Sequence, residues 1–96
     1  MSTFHVKRGD SFLAVEANMD LSGSTVKAFA RPYGTTETAG ELAATVADAQ
    51  SGRVHIVTDE LDAGQYDFEV EVTQGSTVVT FPDDGWALLF VVQDLG

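Results

Sequence analysis

Gln65–Thr73 reads "QYDFEVEVT", and its alternation is the clearest structural signal in the chain. Successive side chains of an extended strand point to opposite faces, so Tyr66, Phe68, Val70 and Val72 share one face while Asp67, Glu69, Glu71 and Thr73 share the other. One face is apolar and the other polar, the pattern of an antiparallel sheet with one side on a core and one side in water. The rest of the chain repeats this period of two and nowhere shows a sustained helical spacing of apolar residues. Strands are predicted at Thr3–Lys7, Ser11–Ala17, Thr25–Arg31, Leu42–Ala47, Arg53–Thr58, Gln65–Thr73, Thr77–Phe81 and Trp86–Gln93. Turn-forming residues separate them, at Arg8-Gly9-Asp10, Asn18–Ser24, Pro32–Gly40, Ser51-Gly52, Asp62–Gly64, Gln74–Ser76 and Pro82–Gly85. Short strands at this spacing make a sandwich or a small barrel. The alanines at 39, 43, 44, 47 and 49 leave a short helix over Glu41–Ala49 as an alternative to the fourth strand.

The last strand departs from the alternation. "WALLFVV", Trp86–Val92, is apolar at seven consecutive positions, so both of its faces need cover, from the chain itself or from another molecule. Asp83, Asp84, Gln93 and Asp94 flank it as gatekeepers. Trp86, Leu88, Leu89, Phe90 and Val91 are therefore candidate protein-interaction residues. Tyr33 joins them as an aromatic in the long loop "RPYGTTETAG", Arg31–Gly40, where it is expected to be exposed.

Ninety-six residues make one domain, 1–96, with a thin core that buries only about 60–65% of the surface of the unfolded chain. Fifteen acidic against five basic residues give a formal charge of −10, which repels phosphate backbones and anionic membranes. Nucleic acid and membrane surfaces are therefore not expected partners. The absence of cysteine rules out a disulfide scaffold or a thiolate site. The amino terminus lacks the apolar stretch of a secretion signal, and Trp86–Val92 is too short to span a bilayer as a helix. The mature protein is expected to start at Met1.

Little in the sequence points to catalysis. His5 and His55 lie inside strand patterns, and no nucleophile elbow, phosphate loop or H-E-x-x-H motif occurs; neither an enzyme nor a cofactor is expected. Asp59, Glu60 and Asp62, and separately Asp83 and Asp84, could offer oxygens to calcium, but their spacing is that of solvated turn acids rather than of an EF-hand. Tyr66, Phe68, Trp86 and Phe90 could line a sugar platform, although alternate aromatics on strands are more often core. Arg8-Gly9-Asp10 matches the tripeptide read by integrins. A glycine followed by aspartate between two strands is also a sufficient description of a turn, and that reading is preferred.

Taken in order, "KRGDSF" (Lys7–Phe12), "DLSGSTV" (Asp20–Val26), "GRV" (Gly52–Val54), "AGQYDFEV" (Ala63–Val70) and the terminal Gly85–Asp94 segment resemble the small Ig-like β-sandwich proteins among the structural genes of tailed bacteriophages and prophages. Each motif alone is weak, and their order and spacing carry the likeness across nearly the whole chain. It departs from the pattern at "TVVTFPDDGW", Thr77–Trp86, which carries an added acidic turn, and at Gly96, beyond which no fibre-type extension is expected. The resemblance implies an all-β, Ig-like antiparallel sandwich of about seven or eight strands. It also implies a non-enzymatic virion protein, made in the bacterial cytoplasm, with other virion proteins and copies of itself as partners. Its place would be the tail or baseplate, with a head-decoration or neck role as the near alternative. A glycan- or calcium-binding module is the alternative from outside that class.

Overall fold

The computed structural model describes residues 3–17, 19–81 and 87–93. Among these residues it is all-β, with nine strands: β1 (Thr3–Lys7), β2 (Leu13–Glu16), β3 (Thr25–Pro32), β4 (Gly40–Leu42), β5 (Ala44–Asp48), β6 (Arg53–Ile56), β7 (Gly64–Gln74), β8 (Thr77–Phe81) and β9 (Ala87–Val92). One sheet runs β1-β9-β7-β3-β4, with β8 also paired to β7; the other runs β2-β6-β5. The chain crosses between the sheets from β1 to β2, β2 to β3, β4 to β5 and β6 to β7, giving an immunoglobulin-like β-sandwich.

Two details differ from the sequence expectation. The segment expected as one strand, Leu42–Ala47, is two. Leu42 pairs with Ala28 in the first sheet and Ala44 with Ile56 in the second, so the chain changes sheets at Ala43, whose carbonyl accepts a hydrogen bond from the Val57 N–H at 2.8 Å. The alanines thus serve a crossing between sheets and form no helix. The sandwich is also not wholly antiparallel, because β1 pairs in parallel with β9. A first strand that must leave at the end where β2 begins can join this edge only by running alongside the last strand.

The core lies between the sheets. On β7 the predicted inner face holds: Phe68, Val70 and Val72 are buried, and Tyr66 is half-buried. Opposite them on β3 are the small side chains Ala28 and Ala30, the latter in register with Phe68. Antibody domains fill this region with a disulfide and a tryptophan. This cysteine-free chain fills it with the Phe68 ring, which Phe4 meets edge-on at 5.6 Å. Burying one such ring contributes about 2–3 kcal/mol.

Each end of the sandwich is closed by turns whose sequences are legible in retrospect. At the end where β7 finishes, the Asp20 carboxylate accepts hydrogen bonds from the Ser22 N–H (2.8 Å) and hydroxyl (2.6 Å), which hold its pKa below the usual carboxylate value. That turn plugs Leu21, 1% exposed, into the core. At the other end the Tyr66 hydroxyl donates to the Asp62 carbonyl at 2.7 Å. This is the tyrosine corner of Greek-key sandwiches, set near the start of the strand that follows the crossing. Partial burial, and secondarily the Asp62 charge, push the Tyr66 pKa up, with the bond to Asp62 opposing them.

Candidate docking surface

Lys7–Asp10 form the corner between β1 and β2. The Asp10 N–H donates to the Lys7 carbonyl at 3.1 Å, and Gly9 at the third position of the turn has φ of 90°, the arrangement of a type II turn. The Arg8 N–H continues the parallel ladder by donating to the Val92 carbonyl at 2.7 Å, while its guanidinium lies 3.5 Å from the Asp62 carboxylate. That ion pair is exposed and is worth at most about 1 kcal/mol. Arg8, Gly9 and Asp10 are all exposed, and their backbone bonds account for their conformation without an external ligand.

β9 divides the apolar run between two environments. Ala87, Leu89 and Val91 face the core and are 0–3% exposed, so Leu89 and Val91, expected as interaction residues, are interior packing instead. Their inward direction follows from register, since Leu89 lies beside Phe4 and Tyr66. Leu88, Phe90 and Val92 occupy the outer face, the first two half-buried and Val92 exposed. His5 on β1 stacks on Phe90 at 5.1 Å with the rings nearly parallel. Cover on the outer face is therefore partly supplied by the chain itself. Trp86 lies outside the described residues. Tyr33 is 56% exposed at the end where β7 starts, and its N–H donates to the Gln65 carbonyl.

The supposed aromatic platform is not assembled. Phe68 faces the core while Phe90, on the neighbouring strand, faces outward. Asp67 departs from its expected wet position: it is 7% exposed on the outer face, paired with Arg31 across the β3–β7 ladder at 3.1 Å. Its burial follows from that cross-strand partner and from its place beside Leu88. Asp59, Glu60 and Asp62 are exposed, and among the described residues no three acidic or histidine side chains gather as a metal site. Asp83 and Asp84 lie outside the described residues. No helix among the described residues is long and apolar enough to cross a membrane.

Among the described residues four exposed apolar groups, Phe12, Val57, Val78 and Val79, escaped the sequence reading. Phe12, 47% exposed, stacks on His55 at 4.0 Å on the outside of the second sheet. Its outward direction was available from "FLAVE", in which Leu13 and Val15 take the core. Val78 and Val79 on β8 are 57% and 39% exposed. They belong to a run that reads as an ordinary half-buried strand, so nothing local marks them. No protein family, curated protein or solved structure matches the chain.

Proposed function

We propose that this protein is a non-enzymatic structural component of a tailed-phage virion, placed on the tail or baseplate as one of several symmetric copies. The ordered series of motifs from Lys7 to Asp94 carries the reading. The sandwich is compatible with it: a compact acidic domain whose outer β9 face keeps Leu88, Phe90 and Val92 partly open is suited to docking on a larger assembly through side-chain insertion and main-chain pairing at strand edges. Tyr33 and its loop are a second contact candidate at one end of the sandwich.

Mass spectrometry of purified particles from the bacterium that encodes the chain tests the proposal. The protein should be a stoichiometric particle component, and antibody labelling should fall on the tail; labelling of the head or neck would move it within the virion. Absence from purified particles overturns the reading, and a calcium-dependent rise in melting temperature or selective glycan binding would favour the binding-module alternative.

A further inference from the structure

The two strands after β7 share one of its sides. β8 pairs with Val70–Gln74 and β9 with Gly64–Phe68. β1 then covers only the β9 half, because it pairs with Leu88–Val92. Among the described residues no strand lies beyond β8, so a strand-wide slot beside Thr77–Phe81 is open.

The other sheet edges carry the features that discourage strand addition. β1 has Lys7, β4 is three residues long with Glu41, β2 ends in Glu16, and β5 has Asp48 and a register shift between Val46 and Asp48. β8, "TVVTF", has no charge, no proline and two exposed valines.

We infer that β8 is a self-association edge, which pairs antiparallel with β8 of a second copy about a two-fold axis through Val79. In that register Val79 faces its own counterpart, Val78 faces Thr80, and Thr77 faces Phe81. Every pair is apolar or hydroxyl, and no like charges are opposed. The copies are offset along the strands, so β8 of the second copy lies end to end with β1 of the first. Charge also confines where a second copy can approach. Two chains of −10 repel over most of their surfaces, and the uncharged β8 edge is where they can approach. Self-association should therefore tighten with added salt, whereas docking of a basic protein would weaken.

A five-residue edge buries less than the roughly 1,200 Å² of a standard stable interface, so the dissociation constant should be on the order of 10–1000 micromolar. Such an edge would act when copies are already held close together. The inference does not need the virion reading: failure to self-associate would leave particle incorporation untouched, and absence from particles would leave this edge untouched.

Sedimentation velocity over a dilution series, on wild type, Val79→Lys, Val79→Glu, their equimolar mixture and Phe90→Lys, tests it, with thermal melts to verify folding. Wild type should dimerise, more tightly at higher salt. Each Val79 variant should lose at least about tenfold in affinity, the mixture should recover it through opposite charges across the axis, and Phe90→Lys should leave it unchanged. A wild type that stays monomeric up to millimolar concentration, a dimer indifferent to both Val79 variants, or one abolished only by Phe90→Lys would each overturn the inference.

Discussion

β8 and β9 occupy one side of the same strand, and both are rich in apolar residues, yet they end in different surroundings. β9 lies between β7 and β1, with Leu89 and Val91 sealed against the second sheet. β8 has β7 on one side, and Val78 and Val79 remain open. An apolar strand is thus interior or exposed according to what its neighbours occupy, and its own composition does not decide between them.

The contrast breaks most visibly with Leu89→Ala. A fully buried leucine leaves a cavity, so denaturant melts should record a loss of about 2–5 kcal/mol; a loss below about 1 would place Leu89 outside the core. Asp67→Ala, on the outer face beside β9, should cost about 1–3 kcal/mol by leaving Arg31 without its buried carboxylate. If Asp67 were a solvated acid like Asp59, the change would be within error.

Tyr66→Phe, at the foot of the same half, should cost about 1 kcal/mol through loss of the bond to Asp62. Its pH signature is more diagnostic. The folded pKa is raised, so this residue's contribution is fully present below the unfolded value of about 10 and is lost as pH rises through the folded value. Wild type should weaken in that alkaline window, and Tyr66→Phe should lose that part of the slope. The smallest effect belongs to β8: Val78→Thr, exposed and still β-branched, should change monomer stability by no more than about 0.5 kcal/mol. A larger loss would mean that the β8 half is covered after all.

Much of this was readable in the residues. The alternation of Tyr66 to Val72 defined β7 and its inner face, and the turn residues located the other strands within a few positions, except that β4 and β5 were merged into one. The tyrosine corner was also within reach, because Asp62-Ala63-Gly64-Gln65-Tyr66 places the hydroxyl four residues from its acceptor. The candidate docking residues were only half legible. The run Trp86–Val92 announces that both faces are apolar, but alternation cannot say which of Leu88 and Leu89 turns inward until the strand has a register.

The sequence by itself determined an all-β chain of short strands, because period-two patterning and turn chemistry act over a few residues and need no distant partner. The parallel seat of β1, the change of sheet at Ala43, the burial of Asp67 against Arg31 and the open side of β8 were decided only by the tertiary structure. Each depends on which strand lies alongside, and that is settled by contacts between residues far apart in the chain.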